Sequence, residues 1–165
     1  MNLEELYQYI IDNPTQPNIS DIVEHLPTLK DLASECEHVT EMGFRVGTSF
    51  VALLMGKPKR AITYDTQIPQ SCVDGILPFT KDTQCVFHEK STLDVEIEET
   101  DFLFIDTLHT HKQLDQELKL HGNKVKKYLA FHDTVTYGLK GEDGTQPGLM
   151  RAIMDFITTN PRWKI

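Results

Sequence analysis

The stretch His38-Val39-Thr40-Glu41-Met42-Gly43-Phe44-Arg45-Val46-Gly47-Thr48-Ser49, continued by Phe50-Val51-Ala52-Leu53-Leu54-Met55-Gly56, decides the fold. Its first five residues are short and partly β-branched, and Gly43 stops them, which predicts a strand. Ser49 to Met55 is apolar enough for a buried helix, closed by Gly56. Between the two lies a Gly-x-x-x-Gly spacing, Gly43 to Gly47. Glycines there let the main chain pass close to a ligand, and the following helix offers unpaired N–H groups to a carboxylate or phosphate. The spacing is neither the Gly-x-Gly-x-x-Gly of dinucleotide folds nor a P-loop with its Gly-Lys-Ser/Thr, so it argues against a nicotinamide-dependent reductase. A plain turn built from two glycines is the alternative.

Outward from this point, strand and helix patterns alternate. Strands are expected at Arg60 to Asp65, Gln84 to His88, Asp101 to Asp106 and Lys127 to His132. Helices are expected at His111 to Leu120 and Pro147 to Thr159. Upstream, Leu3, Leu6, Tyr7, Ile10 and Ile11 make one helical stripe that ends at Asn13-Pro14. A second stretch from Ser20-Asp21 carries Ile22, Val23, Leu26, Leu29 and Leu32, and Pro27 inside it predicts a kink or two short helices. The link from Asp65 to Gln84, with Pro69, Gly75 and Pro78, is short on helical pattern. Thr134 to Gln146 reads as a long surface loop, a common place for a lid or binding segment. The expectation is an α/β fold: a mostly parallel sheet of about five strands with right-handed crossovers and helices on both faces. Residues 1–165 are expected to form one domain, with N-terminal helices over 1–35 and the α/β core over 36–165.

The chain has 165 residues, a hydrophobic fraction of 39% and a net charge of -9. That charge argues against nucleic acid as a partner, because neutralising phosphates takes clustered Lys and Arg. Lys57-Pro58-Lys59-Arg60 and Lys124-Val125-Lys126-Lys127 are the basic clusters, and each reads as a solvated lead-in to a strand. No apolar run approaches a membrane span. The N-terminus does not read as a secretory signal. Three cysteines without metal-type spacing fit reduced thiols in a cytoplasm.

Four groups of residues carry chemistry. The first is the glycine loop. Asp65 closes the next strand at a distance suited to an acid that accepts bonds from two ribose hydroxyls. Asp106-Thr107-Leu108-His109, followed by His111, leaves the fourth strand, and His132-Asp133 leaves the fifth. Adjacent parallel strands would bring Asp106 and Asp133 together, where two carboxylates repel unless a proton or cation separates them. A divalent ion such as Mg²⁺ would serve, and His109 could take a proton from a hydroxyl. Simple capping of the next helix or loop is the alternative.

In this order the features resemble the class I S-adenosylmethionine-dependent methyltransferases. They look most like the small-molecule and sugar O-methyltransferases that include macrocin O-methyltransferase-like and cephalosporin-hydroxylase-like proteins. The resemblance covers Ile22 to the end and implies a Rossmann-like methyltransferase fold. It implies that Glu41, Gly43, Phe44, Arg45, Gly47 and Ser49 line the methionine part of the cofactor. Asp65 would hold its ribose. Glu89-Lys90-Ser91 falls where the family often has Gly-Asp-Ser near the adenine, which makes Glu89 and Ser91 candidate contacts. Asp106 would face the cofactor's methyl and ligate the metal, with His109 as base and His132 and Asp133 completing the metal site. Gly148-Leu149-x-x-Ala152-Ile153-x-x-Phe156 and Pro161-Arg162-Trp163 also look like this group.

The activity so implied is metal-assisted O-methylation of a small molecule or sugar. A catalytically degenerate binding module on the same fold is the alternative. The family usually continues into an antiparallel hairpin that would begin where this sequence stops, at Ile165. A sheet edge left bare there would invite pairing with a second copy. Tyr137, in the long loop, is a candidate for stacking on a sugar.

Overall fold

One parallel sheet organises the molecule. In the computed structural model, which describes residues 2–15 and 21–165, its strands are β1 (His38–Met42), β2 (Arg60–Asp65), β3 (Gln84–Glu89), β4 (Thr100–Ile105) and β5 (Val125–Phe131). Their order is β3-β2-β1-β4-β5, with every pairing parallel. The chain therefore reverses direction of travel across the sheet after β3, and the crevice beside β1 and β4 is where α/β folds of this kind place ligands. β3 and β5 are the two edges, and β5 carries exposed Lys126 and Lys127, charges of the kind that discourage edge-to-edge pairing.

Successive strand residues face opposite layers. Val39, Ala61, Phe102 and Phe104 pack into one core cluster with Tyr7, Leu26 and Phe50. These belong to or flank α1 (Leu3–Asp12), α2 (Leu26–Ser34) and α3 (Thr48–Met55). Met42, Ile62, Leu103 and Ile105 pack into the other with Leu114, Leu118, Ile153 and Phe156. Those come from α5 (His111–His121) and α6 (Leu149–Thr159). Both faces of the sheet are covered, which is why its central strands are apolar nearly throughout.

Local rules explain most helix ends. Asn2 and Glu5 form a reciprocal capping box at the start of α1. Pro27 sits in the first turn of α2, where its missing N–H costs nothing, and a 3₁₀ turn over Val23–His25 precedes it. The expected pair of short helices is thus present, while the start placed at Ser20 lies outside the described residues. The link between β2 and β3 departs from expectation. It holds α4 (Gln70–Ile76) and a 3₁₀ turn over Leu77–Phe79. Pro69 and Pro78 stand at the starts of these two turns of chain, and Val73 and Ile76 are buried one turn apart. The Pro and Gly residues that masked the helical pattern are boundary and surface positions, not breaks.

Among the described residues no helix is long and apolar enough to cross a membrane.

Candidate active site

The loop after β1 is held by main-chain bonds. Gly43 N–H donates to the Tyr64 carbonyl at 2.8 Å, and Asp106 N–H donates to the Met42 carbonyl at 2.8 Å. Gly43 has φ +100°, and a Cβ there would lie 1.8 Å from the Asp106 carbonyl oxygen. The ends of β1, β2 and β4 are therefore drawn together at a point that admits no side chain. Arg45, at φ +50°, donates its N–H to Asp65 Oδ2 at 2.8 Å. Gly47, at φ +84°, caps α3, and a Cβ there would meet the Phe44 ring at 2.7 Å.

Two residues expected at the cofactor turn their side chains into the protein. Glu41 is fully buried beneath the loop. Its two oxygens accept from Ser49 Oγ and Thr63 Oγ1, each at 2.6 Å. Burial outweighs these hydroxyl bonds and pushes its carboxyl up to about 8. Phe44 turns its ring into the core, edge-on to Phe50 and Phe87 at centroid distances of 5.9 and 5.7 Å. The Arg45 side chain reaches outward to Asp21 at 3.0 Å.

Beside the loop lies a cavity of about 450 Å³, lined by Gly43, Asp65, Ser91, Thr92, Asp106 and Gln113 among others. Asp65 accepts from Gln67 N–H at 3.2 Å as well as from Arg45, so its carboxylate is fixed at the rim. Glu89, its register partner on β3, turns away to accept from Ile68 N–H at 3.0 Å and is not among the lining residues.

At the other end of this cavity four ligand-type side chains converge. Asp106, His109, His132 and Asp133 each offer an atom within 4.8 Å of the others. Asp133 reaches the cluster from the left-handed region, φ +54°, a strained conformation for a residue with a side chain. His109 Nε2 lies 3.1 Å from Asp106 Oδ1 and 3.2 Å from Asp133 Oδ2. Its Nδ1 lies 2.9 Å from Glu142 Oε2. Burial works against a charge on His109, but the Asp106 and Glu142 carboxylates, with Asp133, outweigh it and raise the ring to about 9. Asp106 is half-hidden from water, yet His109 and His132 hold its carboxyl down at about 2. His132 Nδ1 is buried and has no hydrogen-bond partner among the described residues, though Asp106 and Asp133 lie 3.4 and 3.3 Å away. His111 opens α5 and stands outside the cluster.

Sequence reasoning missed Glu142, which sits in an aperiodic loop with no pattern to betray it. Tyr137, a candidate for stacking on a sugar, has a ring neighbour in the protein. That ring stacks on His109, centroids 4.9 Å apart and nearly parallel at 12°. The Thr134–Gln146 loop is thus folded onto the site, and Glu142 N–H donates to the His109 carbonyl at 3.0 Å.

A second cavity, of about 530 Å³, opens on the other side of the cluster. Leu29, Phe104 and Ala130 make part of its floor, and Glu24, His25 and Asp133 part of its wall. His132 and Asp133 line this cavity, while Asp106 lines the first.

No family model and no curated protein matches the chain. Solved structures do. Over 93% of this chain and 84% of the other, the fold superposes on the N-methyltransferase NodS from Bradyrhizobium japonicum WM9, in complex with S-adenosylhomocysteine, with TM-score 0.64 and 14% identity. The chain has the class I methyltransferase fold. The O-methyltransferase TomG from Streptomyces achromogenes, in complex with S-adenosylmethionine, shares that methyltransferase fold over 98% of this chain and 78% of its own, with TM-score 0.59 and 15% identity. Against the mitomycin 7-O-methyltransferase MmcR the match covers 79% of this chain but 42% of that one, with TM-score 0.53 and 12% identity.

Proposed function

We propose that the protein is an S-adenosylmethionine-dependent methyltransferase that methylates a hydroxyl on a small molecule or sugar with help from a divalent ion. The observation that carries this reading is the pair of cavities that border one cluster, the first at Asp106 and the second at His132 and Asp133. A transfer reaction needs two reactants held end to end, and much of its acceleration comes from that placement. The likeness to macrocin-type and cephalosporin-hydroxylase-type sequences belongs to the same proposal.

The first cavity, of about 450 Å³ and lined by Gly43, Asp65 and Asp106, is where the cofactor would bind. Asp65 would accept from ribose hydroxyls in this cavity, and the N-terminus of α3, whose Thr48 and Ser49 line a separate small pocket with Gly43 and Asp106, would take the carboxylate. The cluster fits a divalent cation, since two carboxylates and two imidazoles converge and a buried nitrogen, His132 Nδ1, lacks a bond. Mg²⁺ would rely on Asp106 and Asp133 with waters, whereas Mn²⁺, Fe²⁺ or Zn²⁺ would also suit the imidazoles. When bound, the cofactor supplies an electrophilic methyl group and the ion stabilises an ionised hydroxyl.

The protein's own part is positional and protonic. Asp106 lines the first cavity and Asp133 the second, and both carboxylates belong to the one cluster. His109 presents Nε2 to the cluster; Asp106, Asp133 and Glu142 hold the ring protonated, and a cation drawn to Asp106 and Asp133 would lower its proton affinity so that Nε2, left unligated, would accept the hydroxyl proton. Glu142 and Tyr137 fix the ring from its far side. Leu29, Phe104 and Ala130 give the second cavity an apolar floor for the acceptor, and among the described residues that line it none is a Lys or Arg that would favour an anionic one.

The test is a Mn²⁺ titration followed by transfer of a labelled methyl group from S-adenosylmethionine to a panel of hydroxylated acceptors. D106N and D133N should each weaken Mn²⁺ binding by at least about tenfold and abolish transfer. Tight Mn²⁺ binding that survives both substitutions, or methyl transfer indifferent to them, contradicts the assignment.

A further inference from the structure

His132 is the most buried member of the cluster, with 6% of its side chain exposed against 21% for His109. Its two ring nitrogens meet different surroundings. Nε2 lies 3.2 Å from the main-chain carbonyl of Asp21. The Asp21 carboxylate in turn meets the Arg45 guanidinium at 3.0 Å, which ties this segment to the loop after β1. His25 packs edge-on against the His132 ring, centroids 5.3 Å apart. Nδ1 faces the Asp106 and Asp133 carboxylates at 3.4 and 3.3 Å and makes no hydrogen bond among the described residues.

The chemistry of these partners fixes what the ring presents. A carbonyl oxygen can only accept, so Nε2 carries the proton of the neutral ring and Nδ1 keeps a lone pair. Turning the ring over would set carbon atoms against the Asp21 carbonyl and the two carboxylates. A lone pair gains nothing from carboxylates, which are acceptors too, and a buried polar atom left in that state calls for a missing partner. A cation between the three atoms satisfies all of them. Their spacing suits one, since ligands at right angles with bonds of about 2.1 Å stand about 3 Å apart. His109 differs, because both its nitrogens are hydrogen-bonded, Nε2 to Asp106 at 3.1 Å and Nδ1 to Glu142 at 2.9 Å.

We infer that His132 binds the divalent ion directly through Nδ1, beside Asp106 and Asp133, and that the site takes a transition-metal ion such as Mn²⁺, Fe²⁺ or Zn²⁺ in preference to Mg²⁺. This rests on the reading of the cluster as a metal centre. Mg²⁺ is held by oxygen and keeps several waters, so it would leave the buried nitrogen unmet, whereas the transition-metal ions accept imidazole. The Asp21 carbonyl is the outer partner that orients the ring, as metal-bound imidazoles usually have. His109 stays outside the ligand set and keeps Nε2 for the hydroxyl proton.

The experiment loads the folded protein with one equivalent of Mn²⁺ and reads the nitrogen couplings of the bound ion by pulsed electron paramagnetic resonance. Histidine labelled with nitrogen-15 at Nδ1 alone tells the two rings apart, because His132 would ligate through Nδ1 and His109 reaches the cluster through Nε2. A directly coordinated nitrogen-15 is expected. In competition, Mg²⁺ should displace Mn²⁺ only at an excess of at least about a hundredfold, and in H132A that excess should shrink at least about tenfold. Thermal melts report whether H132A is folded, and the labelled wild-type protein gives the answer should it not be. Bound Mn²⁺ with no directly coordinated nitrogen, coordination by nitrogen-14 alone, or an unchanged Mg²⁺ excess in folded H132A overturns the inference and leaves the metal-assisted reading intact. No binding of Mn²⁺ by folded wild-type protein overturns both.

Discussion

Glu41 shows how one side chain can be recognised from sequence and still be misplaced. It stands in the stretch that marks the cofactor loop, yet on β1 it shares a face with Val39, and that face turns into the protein. There it supports the loop through Ser49 and Thr63 instead of meeting a ligand. Its pKa, raised by burial from 4.5 to about 8, has a definite consequence for stability. The folded state favours the protonated form more than the unfolded chain does. The resulting stabilisation is complete below the unfolded value and is lost as pH rises through the folded one, by about 1.4 kcal/mol per pH unit in between. The uncharged isostere in E41Q lacks that dependence. Denaturant melts across pH 5 to 8 should show wild-type stability falling relative to E41Q as pH rises. Parallel profiles for the two proteins would mean that Glu41 is not held neutral in the folded state.

The elements explain why some of the site was readable and some was not. Strand ends were legible because apolar runs, punctuated by Gly43, Asp65 and Asp106, fix where a parallel sheet presents its carboxyl edge. Once β4 and β5 are neighbours, the register that pairs Ile105 with Phe131 brings Asp106 level with His132, and the left-handed turn at Asp133 brings its carboxylate to the same point. Side-chain direction within an irregular loop has no such period. The sequence pattern therefore does not say that the Phe44 ring turns into the core, nor that Glu142 bonds His109. The helix α4 was hidden because its boundary prolines resemble breaks. The loop after β1 also makes a prediction at this scale. In G43A the new methyl group would meet the Asp106 carbonyl, and the φ of +100° is itself strained for alanine. We expect a loss of about 3 kcal/mol, which lowers Tm by roughly 6–12 °C in a chain of this size. G75A is the control, since nothing lies within 4 Å of a Cβ built there and Gly75 is inside α4. It should stabilise by about 0.5–1 kcal/mol. A G43A melt within a degree or two of wild type would show that the crossing of β1 and β4 is looser than described.

At the scale of the whole molecule, the two helical layers leave the carboxyl edge of the sheet open in two places, and the cluster of two aspartates and two histidines stands between them. Comparison with solved methyltransferases establishes the fold, while the use of that fold rests on the residues lining these openings. The most direct measurement is calorimetric titration of the folded protein with S-adenosylhomocysteine, run beside D65A. The account predicts saturable binding at one site per chain, weakened at least about tenfold in D65A, which loses the carboxylate proposed to hold the ribose. Absence of any binding heat over a range of temperatures, from protein whose melt shows it to be folded, or affinity unchanged in D65A, would contradict it.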